Sequence, residues 1–205
     1  MTTPTRTRIL DATAELFRRS GYTGTGLKQV VAAASAPFGS LYHHFPGGKQ
    51  ELAGEVIERS GEMYFELVAG VMAAAPDVVT AVEDAFLGAA EVLRATDYVD
   101  ACPIATIALE VASTNDTLRA KTAVVFERWI TGLTAFFVAN DVDPQRARPL
   151  AIHVIAALEG AFVLARAAQN TEALEAAGAA CAALVRDAIN ELGGSGERDS
   201  HRRRR

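Results

Sequence analysis

The sequence predicts an all-α protein of about nine helices, with a three-helix helix-turn-helix domain at the N-terminus and a larger helical domain after it. Three observations lead there. Apolar residues recur at helical spacing along most of the chain, with no strand-like alternation and no internal repeat. Half of the 205 residues are hydrophobic but only 7% are aromatic, and Ala crowds the region after residue 150, which favours helices packed at close range. Gly, Pro and Asx residues fall at intervals that leave room only for short connectors.

The first helix carries Ile9, Leu10, Ala12, Ala14, Leu16 and Phe17 on one side and Arg8, Asp11, Arg18 and Arg19 on the other. Ser20-Gly21 should stop it. Thr25 is placed to N-cap a second helix over 27–34, whose apolar face is Leu27, Val30 and Val31. Ser35-Ala36-Pro37 breaks the pattern, and Pro37 suits the first turn of a third helix ending at Phe45. There Phe38, Leu41 and Phe45 form the expected buried stripe, and Pro46-Gly47-Gly48 closes the segment.

A long helix starts at Lys49 and keeps its period through Leu52, Val56, Ile57, Leu67 and Met72 to Pro76. Further helices are expected over roughly 77–95, 103–113, 116–139, 144–169 and 171–192. Asp143 can cap a helix beginning at Pro144, while Pro149 should bend that helix or delay its start. Phe126, Trp129, Ile130, Leu133 and Phe137 share one helix side, as ordinary core or as a cavity wall. Residues 193–205 read as a disordered basic tail.

The net charge of −5 is unevenly spread: +4 over residues 1–50, −12 over 51–192 and +3 from 193 onward. A basic end on an acidic body fits a protein that meets phosphate only through its N-terminal part. No uninterrupted apolar run reaches membrane-spanning length, and the charged first twenty residues do not resemble a signal peptide, so a cytoplasmic protein without a membrane partner is expected. Cys102 and Cys181 stand apart in apolar settings and read as two reduced, buried thiols, with a redox switch as the alternative. No nucleophile elbow, P-loop or HExxH is present, so neither an enzyme nor a cofactor is expected. His43 and His44 lack a third ligand at metal spacing, so no metal is expected.

Residues 25–49 are the informative stretch. The short third helix makes a poor core element, because it presents Gly39, Ser40, Tyr42, His43 and His44 beside its narrow apolar stripe. Small residues admit close backbone approach, and hydroxyls and imidazoles reach phosphates and base edges. Lys49 follows at a helix N-terminus, where free N–H groups already attract phosphate. The competing reading is a helical interaction module whose polar hairpin meets another protein without DNA.

Arg8-Ile9-Leu10-x-Ala12, Leu16-Phe17, Gly21-Tyr22, Thr25, Gly39-Ser40-Leu41-Tyr42-His43-His44-Phe45, Lys49 and Leu52 together resemble the TetR family of one-component regulators over about residues 6–58. The Pro46-Gly47-Gly48-Lys49 junction and Ala101-Cys102-Pro103-Ile104-Ala105 resemble its LmrA/YxaF-like subgroup. One departure is Ser35, where the family usually has Gly in the motif turn; Ser costs more there if φ must be positive.

The resemblance implies a DNA-binding domain over 1–50 and a ligand-binding and dimerisation domain over 51–192, with 193–205 as the tail. Thr25 and Lys49 would contact phosphate. Pro37, Phe38, Gly39 and Ser40 would lie nearest the bases, and Tyr42 and His43 on the DNA backbone. Lys28 joins them by its charge and position, and His44 is either a contact or a partly buried core residue. An effector pocket would draw on Met63, Tyr64, Phe86, Ile107, Trp129 and Phe162, with Glu110, His153 and Glu159 as polar anchors. Small residues of the last two helices, among them Ala156, Gly160 and Ala161 and then Ala177, Ala180 and Ala188, would pack a homodimer. Double-stranded operator DNA and an unknown small, mostly hydrophobic effector are the implied partners, and release of a homodimeric repressor from a near-palindrome the implied mechanism. Activator and thiol-sensor variants remain open.

Overall fold

The computed structural model describes residues 3–100 and 102–202, with side chains described through residue 189. Among these are nine helices and no strand: α1 Thr5–Gly24, α2 Leu27–Ala33, α3 Phe38–His44, α4 Gly48–Ala74, α5 Val78–Ala95, α6 Pro103–Val111, α7 Asp116–Ala139, α8 Pro144–Ala168 and α9 Glu172–Arg202. The all-α expectation holds. The chain packs as two compact units, one of residues 1–66 and 99–127, the other of residues 67–98 and 128–205. The unit that contains the helix-turn-helix is therefore larger than its 50-residue motif, because α6 and the first parts of α4 and α7 belong to it.

In the first unit α1 packs against α2, α3 and α6. Its interior is built from Ile9, Phe17, Val30, Leu41, Phe45, Leu52, Ile57, Ile104, Ile107 and Leu118, all essentially inaccessible. Burying each such side chain stabilises the fold by about 1.5–3 kcal/mol. Close helix contact also needs glycine: a Cβ on Gly61 would lie 2.6 Å from Val125 Cγ1. On the surface Arg6 pairs with Glu55 and Arg59 with Asp11, tying α1 to α4. Exposed pairs of this kind contribute little stability.

In the second unit α9 packs along both α5 and α8. The core includes Phe86, Leu93, Phe137, Val154, Leu174, Cys181 and Val185. Asp77 caps α5, accepting from the Val79 and Thr80 N–H groups at 2.9 Å. Asp143 caps α8 through the Gln145 N–H at 2.7 Å. Helix α8 starts at Pro144 and runs on through Pro149, so of the two expectations for Pro149 the late start is excluded.

Several sequence expectations are corrected. Helix α1 is drawn to Gly24, yet Gly21 has φ 71 and ψ 179, so the predicted stop is a kink with one further turn beyond it. Thr25 does not cap α2. Gly26 takes that position, and the Gln29 carboxamide oxygen accepts from its N–H at 2.7 Å. Thr25 is buried and its hydroxyl donates to the Gly21 carbonyl at 2.8 Å. Cys102 is half-buried rather than buried, whereas Cys181 is buried as expected. The tail was expected to be unstructured from residue 193, but α9 continues to Arg202. No proline interrupts it, and glycines cost a helix only about 1 kcal/mol each. Residues 203–205 lie outside the described residues. Two helices, α7 and α8, are also long and apolar enough by composition to cross a membrane, contrary to the expectation that no segment would qualify. Core helices of all-α proteins pass the same test.

Candidate nucleic-acid interface

The turn between α2 and α3 sets the direction of the short helix. Helix α2 ends in a Schellman arrangement: the Ala36 N–H donates to the Val31 carbonyl at 2.9 Å and the Ser35 N–H to the Ala32 carbonyl at 3.1 Å. That pattern requires a left-handed residue after the cap, and Ser35 supplies it with φ 47. The conformation favours glycine, which this chain lacks there. Compensation comes from α1. Arg8 Nε donates to the Ala34 carbonyl at 3.0 Å and its Nη2 to the Ser35 carbonyl at 3.3 Å. One guanidinium thus holds two carbonyls at the end of the helix that are left without helical partners.

Helix α3 is anchored by Leu41 and Phe45, both 0% exposed. Phe38 was expected beside them but is 44% exposed and meets the Tyr42 ring edge-on, with centroids 5.8 Å apart. A residue at the first position of so short a helix lies beyond the edge of the core that Leu41 and Phe45 cover. Pro37, Gly39, Tyr42 and His43 are exposed with it, and Ser40 is half-exposed. An added Cβ on Gly39 would meet nothing within 4 Å. His44 is half-buried between the His43 and Phe45 rings. The outward face of α3 is therefore an aromatic, small and imidazole surface on a rigid footing.

The junction to α4 is made by two glycines with different tasks. Gly48 adopts φ 64, a left-handed value that a side chain would strain. The Gly47 N–H donates to Glu51 Oε2 at 2.6 Å, fixing the start of α4. Lys49 lies just inside that helix with Nζ 4.5 Å from the centroid of the Tyr22 ring, a cation–π contact. Burial pushes the Lys49 ammonium below the ordinary lysine value, and the charge of Glu110 opposes that shift. Lys28, on α2, is exposed.

These features, a short polar-faced helix on an apolar footing after a Schellman turn and followed by a lysine at a helix start, set the frame for comparison with known proteins. Residues 9–56 match the model of the bacterial regulatory proteins of the tetR family. Residues 78–180 match the C-terminal domain of LmrA/YxaF-like transcriptional regulators. The chain belongs to the TetR family, in its LmrA/YxaF-like group. A helix-turn-helix-type transcriptional regulator of Mycobacterium tuberculosis is 32% identical over 179 residues, 83% of this chain and 88% of that one. The regulator LmrA of Bacillus subtilis is 30% identical over 169 residues, 82% of this chain and 90% of its own. A TetR regulator of known structure from Chloroflexus aurantiacus superposes with a TM-score of 0.75 at 29% identity, covering 90% of this chain and 96% of that one. This TetR-family chain is thus a DNA-binding transcriptional regulator and not an enzyme, as the sequence led one to expect.

The expected contact residues distribute unevenly. Pro37, Phe38, Gly39, Ser40, Tyr42 and His43 share α3 or its cap, and Lys28 and Lys49 flank them in sequence. Thr25 is withdrawn from the surface, because both its hydroxyl and its N–H are engaged within α1. The expected effector residues fall into both units. Met63, Tyr64, Ile107 and Glu110 belong to the first; Phe86, Trp129, His153, Glu159 and Phe162 belong to the second. Ile107 and Phe86 are fully buried core. His153 is exposed, and Trp129, Glu159 and Phe162 are half-buried. Glu110 is already used: its carboxylate accepts from the N–H of Tyr22 at 3.1 Å and of Thr23 at 2.5 Å. Sequence reading missed the roles of Arg8, Tyr22 and Glu110. Arg8 belonged to a recognised motif and could have been questioned as a turn partner. The Glu110 contact spans 88 residues and left no local signal.

Proposed function

We propose that this regulator is a homodimeric repressor that leaves a near-palindromic operator when a small, mostly hydrophobic effector binds. The observation that carries this reading is the outward face of α3, where Phe38, Tyr42 and His43 are exposed on a helix fixed by Leu41 and Phe45. Pro37, Phe38, Gly39 and Ser40 lie nearest the base edges; Tyr42, His43, Lys28 and Lys49 engage the phosphate backbone. A repressor, DhaR of a Mycobacterium species, is among the relatives, 25% identical over 185 residues.

Dimerisation is supported by an apolar surface on the last two helices. Ile152, Val163, Leu164 and Leu184 are exposed to 44%, 61%, 62% and 41%, with exposed Ala156 and Gly160 between them on α8. Ile152, Ala156, Gly160 and Val163 recur at three- and four-residue spacing and so share one face of α8, and an apolar face of that kind suits an interface. A two-fold dimer sets its two α3 helices in successive major grooves, ~34–36 Å apart. Trp129, Glu159 and Phe162, half-buried in the second unit, are the effector contacts this reading retains. Helix α4, with residues in both units, is the element through which an effector's preference of a few kcal/mol shifts the dimer away from groove-matched spacing. Such a regulator works in the cytoplasm, where its DNA is.

The test is fluorescence anisotropy with the DNA upstream of the protein's own gene, over a salt series. Specific binding by the wild type is expected, and Lys49→Ala should lower the slope of log affinity against log salt by about one. Absence of specific binding at any salt sinks the repressor reading. An unchanged slope removes Lys49 from the phosphate contacts.

A further inference from the structure

We infer that Glu110 is a positioning residue for DNA binding, acting on Lys49 through Tyr22. Its carboxylate, on α6, accepts from the consecutive N–H groups of Tyr22 and Thr23. Two adjacent backbone donors converging on one anion form a nest, and here the anion belongs to the protein itself. The nest exists because Gly21 turns out of the helix at φ 71. Glycine is required there twice over, since a Cβ on Gly21 would also overlap Glu110 Oε1.

Tyr22, held by its backbone, has its ring seated edge-on against the buried Phe17 ring, centroids 5.8 Å apart. The Lys49 ammonium lies over the same ring, 4.5 Å from its centroid. Glu110 thus fixes Tyr22 and adds a favourable charge near Lys49, which burial disfavours in its charged form. A long lysine side chain has much rotamer freedom to lose on binding phosphate. A seat that restricts it beforehand lowers that cost.

The role rests on Lys49 being a phosphate contact, and its test separates the two ideas. A bystander carboxylate near a DNA-binding face repels phosphate, so neutralising it should tighten binding. A positioning carboxylate predicts the reverse. Glu110→Gln keeps the shape and one acceptor oxygen but loses the charge and the second acceptor. Operator affinity of Glu110→Gln, Lys49→Ala and the double variant is measured by anisotropy at one salt concentration, with melting curves to show that each is folded. The expected result is that Glu110→Gln weakens binding by about tenfold alone but less than about threefold in the Lys49→Ala background, the signature of coupled residues. Wild-type affinity or tighter in Glu110→Gln overturns the inference, as does an equal loss in both backgrounds. If Lys49→Ala binds like wild type, the phosphate role of Lys49 falls and the positioning role with it. Should Glu110→Gln unfold, Glu110→Asp keeps the charge but draws the carboxylate back from the Tyr22 and Thr23 N–H groups by one methylene, and the same pattern against Lys49→Ala is required.

Discussion

Replacing Ser35 with Gly should stabilise this protein. Ser35 occupies the left-handed C′ position of the α2 Schellman turn at φ 47. For a residue with a Cβ that conformation costs roughly 1–2 kcal/mol. Glycine removes the strain but makes the unfolded chain more flexible, which returns about 0.4–1 kcal/mol. The net gain is about 0–1.6 kcal/mol, with a midpoint of about 0.8 that corresponds to a rise of roughly 2–3 °C in Tm for a chain of this length. Ser35 is exposed, so no packing is lost to complicate the sign. Ser35→Val should move Tm the other way, because a β-branched residue tolerates positive φ poorly. Thermal unfolding by circular dichroism, at one fixed protein concentration because association shifts Tm, reads both. Operator affinity of Ser35→Gly should stay within about twofold of wild type, since the hydrogen bonds that aim α3 are backbone and Arg8 bonds. If Ser35→Gly melts lower than wild type, or Ser35→Val melts with it, the strain argument is refuted.

Two other perturbations follow from packing and capping. Gly178→Ala should lower Tm although Ala is the better helix former by about 1 kcal/mol: its Cβ would lie 2.8 Å from the Cβ of Phe86, which is 1% exposed, and overpacking costs about 1–3 kcal/mol. An unchanged or higher Tm would show that α5 and α9 can separate freely. Hydrogen bonds from the Thr80 N–H, then the Thr80 hydroxyl, hold the Asp77 carboxyl below the ordinary carboxylate value. A group depressed on folding contributes stability above its unfolded value, about pH 4, and loses it as pH falls through the lower folded value. Asp77→Asn retains an acceptor but does not titrate, so its stability should fall less steeply below pH 4; parallel acid limbs would contradict this.

Local chemistry made much of the fold legible. Period-3.6 apolar runs, Asp77 and Asp143 at helix starts and Pro46-Gly47-Gly48 at a helix end each act within a few residues, and the helices lie close to where those signals put them. The DNA-facing stretch was legible for the same reason, since the polar face of α3 is a run of consecutive residues. Thr25 and Phe38 misled because their types suit more than one place. Threonine caps helices but also back-bonds to a carbonyl four residues earlier, and a phenylalanine in register with a buried stripe is still exposed where a seven-residue helix begins. Glu110 suited an effector pocket by type, and only the approach of α6 to α1 showed what its carboxylate holds.

The all-α architecture, the helix-turn-helix and its family are each encoded in spacing along the chain and so were legible before any packing was known. The sequence also flagged Ser35 as the unusual residue of the motif turn. How that turn is held depends on packing, since Arg8 reaches across 27 residues to its carbonyl. The seat of Lys49 on Tyr22 and the clamp of Glu110 depend on it in the same way. Hydrogen bonds and cation–π contacts act over a few ångströms in space, and the packing of α1 against α2, α3 and α6 is what brings those distant residues within reach.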